Sequence, residues 1–399
     1  MGIDIKGMGG DLNRYQLSCR KKKSRSYSMI DNRYEVLAQI LLDHSLQIKK
    51  DDVFIISGSP LAAPLMYEVY RFSLVRGAHP ITRIGLEYFS ELFYQHAQSH
   101  QLKFISPMDK FEMKEADARL SIISPENTRY MTHIDPKKQA LRSKSMQPIH
   151  DLFLKRAAAK DLRWCVTQFP TNASAQDAGM SLYDYERFIF DAAHIEEENP
   201  IQFWQSIGDR QEKLIDLLSK IDQVHIVAKD TDLRLSVNKR KWINCFGKEN
   251  FPDGEIFTGP VEDSAEGHIR FSFPSVYGGR KVDDVKLFFD KGKVVRAESS
   301  SGHEYLESML DADEDARRLG EFAFGMNAGI TQFTKNTLFD EKIGGTIHLA
   351  VGSGYPETGS VNQSAIHWDM VLDLRKQGEI FADDECIFKN GSFVVEGDL

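Results

Sequence analysis

Val53-Phe54-Ile55-Ile56-Ser57-Gly58-Ser59-Pro60 opens the stretch that decides the architecture of this chain. A short apolar run, bounded by small residues and a proline, reads as a strand entering a turn. Leu65 to Val75 then reads as a helix, and Pro64 suits its first position, where the missing N–H costs nothing. Gly77-Ala78-His79-Pro80 stops that helix, and Ile81-Thr82-Arg83-Ile84 reads as a second strand. Strand, helix and strand form a βαβ unit, which requires a parallel sheet covered by helices. The turn after the first strand holds one glycine and one proline, with neither GxGxxG nor GxxxxGK[ST]. A nucleotide site is therefore not expected there.

Working outward, Val36, Ile40 and Leu41 share one face of a preceding helix. Downstream, Ala118 to Ile123 and Trp164 to Thr167 read as further strands, separated by a basic helical stretch around Lys137 to Lys155. A helix with the stripe Ile207, Leu214, Leu218 and Ile221 closes this half. After Asp222 the period changes to two, in Val224 to Val227, Leu233 to Val237, Ile269 to Phe273 and Val285 to Phe289. Asp290-Lys291-Gly292 signals a hairpin, and one helix is expected near Tyr305 to Phe324. The fold class is therefore α/β: an N-terminal βαβ-type parallel-sheet domain over residues 29–221, followed by a strand-rich α+β catalytic domain over 222–399. Residues 1–28, with the basic run Lys21, Lys22, Lys23 and Arg25, read as a disordered tail, or as leader ahead of a start at Met29.

The whole sequence of 399 residues, at roughly 100–200 per domain, suits two or three domains. A hydrophobic fraction of 41% excludes wholesale disorder, and a net charge of −9 argues against a dedicated nucleic-acid binder. No apolar run approaches the length of a membrane span. Cys19, Cys165, Cys245 and Cys386 are scattered without a CxxC pair, which fits a reducing, cytoplasmic setting and no thiolate zinc site.

Four segments of the second half carry chemistry. In Asn250-Phe251-Pro252-Asp253-Gly254-Glu255 the proline and glycine stiffen a loop around Glu255, which is either a ligand or a polar loop tip. Glu321, among Gly320, Phe322, Ala323, Phe324 and Gly325, has interior-type neighbours, unless it lies on the exposed face of an amphipathic helix. A buried carboxylate needs a cation or metal beside it. His348 lies in an apolar strand and is a ligand or a hydrogen-bonded core histidine; Glu341 precedes it as a loop carboxylate or a further ligand. His367 and Asp369, two apart on a strand, project from one face, as two ligands or as a hydrogen-bonded pair. Together, three Glu, two His and one Asp make an oxygen- and nitrogen-rich set without thiolate. Such a set suits Zn²⁺, Co²⁺ or Mn²⁺, often as a pair of ions that activates a water. Neither GxSxG nor HExxH occurs.

Asn250-Phe-Pro-Asp-Gly-Glu255, Glu321, Gly344-Gly-Thr-Ile-His348-Leu-Ala-Val-Gly and His367-Trp-Asp369 resemble the thermophilic aminopeptidase family of metallopeptidases. The similarity runs over about residues 30–399, its specific motifs lying between Thr231 and Asp369. The resemblance implies a cytoplasmic, homodimeric, dinuclear exopeptidase that removes N-terminal residues from peptides with a free N-terminus. It implies Glu255, Glu321, His348, His367 and Asp369 as metal ligands, with Glu321 as the bridge, and Glu255 or Glu341 as proton carrier. Tyr355, seven residues after His348, matches a tyrosine that stabilises the tetrahedral intermediate; without the resemblance it is an aromatic at a strand end. Glu341 stands seven residues before His348 where several relatives have a glutamate five before, so it is either a direct ligand or a supporting group. Two rival readings are another metal-dependent amide hydrolase or phosphoesterase on the same residues, for which Lys342 is the chief nearby cation, and a non-catalytic relic that retains the metal site. No nucleic-acid or membrane partner is expected.

Overall fold

The computed structural model describes residues 31–394, so the expectation for residues 1–28 lies outside the described residues. The parallel sheet is present. Val53–Gly58 lies between His79–Ile84 and Ala118–Ile123, and Arg163–Gln168 follows, all parallel. The helix Ala63–Val75 begins with Pro64 in its first turn, as its missing N–H allows. The basic stretch forms the helix Pro136–Ala158, which tolerates Pro148 inside it. A fifth parallel strand is added from far along the chain: Asn250–Phe251 pairs with Val166 and Thr167.

The second half builds two large antiparallel sheets and a two-stranded one, Ser275–Tyr277 against Arg280–Val282. The larger has eight strands, and its hairpin between Lys286–Asp290 and Lys293–Glu298 turns through Lys291 and Gly292, both at positive φ. That is the backbone an Asp-Lys-Gly tip between right-twisted strands favours. The smaller sheet runs, in spatial order, His367–Asp373, Thr346–Gly352, Leu319–Gly325, Glu255–Thr258 and Ile243–Cys245. A large apolar core joins the two, with Phe322, Phe324, Ile347, Leu349, Trp368 and Met370 facing it from the smaller sheet.

One expectation is corrected. The helix expected over Tyr305 to Phe324 spans only His303–Leu310, and Leu319–Gly325 is a fully buried strand. The acidic stretch between them forms a turn, in which the Asp313 carboxylate accepts from the Asp315 N–H and Arg318 N–H donates to the Asp315 carbonyl. Phe322 and Phe324 then alternate with Glu321, Ala323 and Gly325, a period of two that suits a strand with one face in the core.

Candidate metal centre

The five candidate ligands on strands share one face of the smaller sheet. Residues directly opposite in an antiparallel pair point the same way. Gly325 lies opposite Glu255, Ala323 opposite His348, and Glu321 opposite Ala350, which in turn faces Asp369; Gly352 lies opposite His367. The ligand positions thus interleave with Ala323, Gly325, Ala350 and Gly352, whose small side chains leave space above the sheet. The opposite face is the aromatic and aliphatic core. Period-two alternation alone therefore sorts donors to one side and packing residues to the other.

Glu341 arrives from outside the sheet, at the C-terminal end of the short helix Thr337–Asp340. Its chain passes close over Gly325, where an added Cβ would run into the Ile343 carbonyl oxygen and lie 2.9 Å from that of Glu341. Glu255, Glu341 and His348 form one group of donor atoms, and Glu321, His367 and Asp369 a second. Glu321 joins them: its Oε1 is 3.4 Å from His348 Nε2 and its Oε2 is 3.2 Å from His367 Nε2. His367 Nε2 is also 3.4 Å from Asp369 Oδ1, and His348 Nε2 is 3.8 Å from Glu255 Oε2.

Both imidazoles are oriented from behind. His348 Nδ1 donates to the Glu341 carbonyl at 3.1 Å and His367 Nδ1 donates to the Ser353 carbonyl at 2.7 Å. A carbonyl can only accept, so Nδ1 carries a proton and Nε2 faces the carboxylates, the ring orientation that a metal-binding histidine needs. Tyr355 stands at the rim, its ring centroid 5.2 Å from His367 and 5.1 Å from Phe257.

The charge balance calls for cations. Burial works against charge on His348, yet Glu321, Glu255 and Glu341 raise its pKa to about 9. Burial likewise opposes charge on His367, and Asp369 with Glu321 raises it to about 12. Burial would push Asp369 up, but His367 holds it well below the usual carboxylate range. Burial, and then the surrounding carboxylates, push the Tyr355 phenol far above its ordinary value. The imidazoles thus act as substitute cations for a cluster of buried negative charge.

The residues fit divalent ions. Glu255 Oε2 and Asp369 Oδ1 are buried without a hydrogen-bond partner among the described residues, two acceptor atoms aimed into the cluster. Donor atoms around one tetrahedral ion at ~2 Å lie roughly 3.3 Å apart, which the spacings of 3.2 to 3.4 Å at Glu321, His367 and Asp369 match.

Three residues at the site carried no assigned part in the metal set. Lys342 is fully buried, its Nζ 3.2 Å from Glu255 Oε1 and 2.6 Å from Glu341 Oε2; those contacts leave little room for its use as a phosphate ligand. Asp253, also buried, accepts from the Gly247 N–H through Oδ2, and burial raises its pKa to about 7 against the pull of Lys342. Asn327 donates through Nδ2 to the carbonyls of Asp253 and Ala192, and accepts through Oδ1 from Gly329 N–H. An aspartate two before a candidate ligand and a lysine directly after one were the available signals in the sequence.

Comparisons with known proteins identify the family and the fold. A family model described as thermophilic metalloprotease (M29) matches residues 30–393. The chain is 26% identical to "Aminopeptidase 2" of Geobacillus stearothermophilus, over 90% of this chain and 97% of that protein. It is 25% identical to "Aminopeptidase AmpS" of Bacillus subtilis, over 92% of this chain and 99% of that protein. The fold is that of wild-type AmpT from Thermus thermophilus, with a TM-score of 0.79 at 22% identity, covering 91% of this chain and 99% of that one. The matched span takes in every strand that carries a candidate donor, so the chain belongs to the thermophilic metalloprotease (M29) family.

Proposed function

We infer that this metalloprotease is an aminopeptidase: a metal-dependent hydrolase that cleaves the N-terminal peptide bond of peptides. The two most extensive sequence relatives named above are aminopeptidases over nearly their whole length, which supports this reading. The observation that carries it structurally is Glu321, with one oxygen turned to each histidine between two donor groups. We assign Glu255, Glu321, His348, His367 and Asp369 as ligands of two divalent ions, zinc, cobalt or manganese, with Glu321 shared, and Glu341 as a sixth donor.

When bound, such ions polarise the scissile carbonyl and acidify water. The remaining chemistry belongs to the chain. His348 and His367 keep their Nδ1 protons on backbone carbonyls, so that Nε2 stays directed inward. Tyr355, kept protonated, donates its phenolic hydrogen to the oxyanion that develops on the carbonyl oxygen. Burial pushes the Glu341 carboxyl well above the usual range, although Lys342 acts against it, which suits Glu341 to take a proton from water and return it to the leaving amine. Buried carboxylates beneath the rim also favour a substrate that brings a positively charged α-amine.

Peptides with a free N-terminus are the proposed substrates. A cytoplasmic setting is supported by Cys165, Cys245 and Cys386, all free; among the described residues no helix is long and apolar enough to cross a membrane. A homodimer is supported by the exposed apolar side chains of Ile84, Tyr88, Phe89, Phe104, Met108 and Phe111.

Aminoacyl-anilides and their N-acetylated counterparts test the activity, with metal-stripped enzyme and Zn²⁺, Co²⁺ or Mn²⁺ restored. Release should require both a metal and a free amine. Turnover that survives chelation, or that accepts blocked substrates equally, overturns the proposal.

A further inference from the structure

The two donor groups differ in one respect that the ligand types alone do not reveal. The group of Glu255, Glu341 and His348 contains a fixed cation: Lys342 Nζ lies 3.2 Å from Glu255 Oε1 and 2.6 Å from Glu341 Oε2, with 2% of its side chain exposed. One oxygen of each carboxylate is thereby already engaged. Glu255 Oε2 is left unpartnered for an ion, 3.8 Å from His348 Nε2. In the second group, the ion pairs of Glu321 and Asp369 among the described residues are all to histidines that are themselves candidate donors, and none is to a lysine or arginine.

We propose that Lys342 makes the two ion positions unequal: the Glu321–His367–Asp369 position fills first and holds its ion, and the Glu255–Glu341–His348 position fills second and exchanges freely. The inference rests on the metal-centre reading above and adds to it an order of loading. Its physical basis is like-charge repulsion. An ammonium a few ångströms from a divalent ion in a buried site opposes binding there, and the same ammonium holds Glu255 and Glu341 together before that ion arrives. Lys342 is thus a positioning residue, and it sets an affinity.

Calorimetric titration of the metal-stripped full chain with Co²⁺, with bound cobalt counted by elemental analysis, tests this without reference to turnover. Two classes are expected, with dissociation constants separated by at least about tenfold. Glu341→Gln should abolish or further weaken the weak class and spare the tight one, whereas Asp369→Asn should remove the tight class. Lys342→Met should tighten the weak class by about tenfold or more, and Lys342→Arg should leave the separation in place. Two equal classes in the native chain, loss of the tight class in Glu341→Gln, or weakening of the second class in Lys342→Met would each overturn the inference. Should Lys342→Met not fold, the native, Glu341→Gln and Asp369→Asn titrations decide the question. Absence of any Co²⁺ binding would instead refute the metal centre itself.

Discussion

Tyr355 carries the clearest prediction for a single side chain. Its phenol is held protonated by burial and by the carboxylates beneath it, so it can only donate. Tyr355→Phe should lower kcat by about 10²–10³-fold, with KM and metal content little changed; unaltered kcat would remove Tyr355 from the reaction. The histidines make a second prediction. In the metal-free chain their raised pKa values, about 9 and about 12, leave both charged at pH 7. An ion must displace those protons, so loading near pH 7 should release about two, and affinity should climb as pH rises toward 9. Calorimetry in buffers of different ionisation enthalpy counts them, and a release of zero contradicts the assignment. The same raised values stabilise the metal-free fold fully below about 6.5, and His348's share fades as pH rises through 9. At this scale the sequence was most informative: the strand placement of His367-x-Asp369 and of His348 was legible because a strand's two-residue period is local. Lys342 was not, since nothing local says which loop lysine will be buried against two carboxylates.

The Leu319–Gly325 strand shows what a longer element adds. Read in isolation, its acidic approach suggests a helix, and the helix in fact ends at Leu310. The alternation of Phe322 and Phe324 with small residues was legible; the partners that make it a central strand were not. They come from Glu255–Thr258 and Thr346–Gly352, on either side along the chain. Gly325 is the test of this element, because the Glu341 segment lies directly above it. Gly325→Ala should cost about 1–3 kcal/mol through overpacking, and should weaken metal binding on the Glu341 side more than on the Asp369 side. Thermal melting with and without added Co²⁺ checks both; a variant with native stability and metal content would show that the approach is looser than described.

Across the molecule, the first half reaches into the second through a few specific contacts. His44, 1% exposed, faces the Phe246 carbonyl from Nε2 at 2.7 Å, while Lys248 Nζ donates to the His44 carbonyl at 2.7 Å. Burial lowers the His44 pKa to about 4. A depressed histidine contributes stability that is complete above its unfolded pKa of about 6.5 and is lost as pH falls through 4, here about 3 kcal/mol in all. Urea melts between pH 7 and pH 4 should show that decline, and His44→Gln should flatten it; an unchanged slope would show that other groups govern the acid limb. The βαβ plan of this half was legible from one apolar run and its flanking turns. The insertion of Asn250–Phe251 into its sheet was not, because a two-residue strand carries no period. That small insertion has a larger meaning. Every candidate ion donor is encoded between Glu255 and Asp369, yet the segment leading into Glu255 is seated by a sheet whose other strands end at Gln168. A gene fragment beginning at the second half would therefore encode the whole donor set and still misplace its first member. Recombination could not move this activity into another protein by carrying the ligand-bearing segment alone; the heritable unit is the chain that contains both sheets.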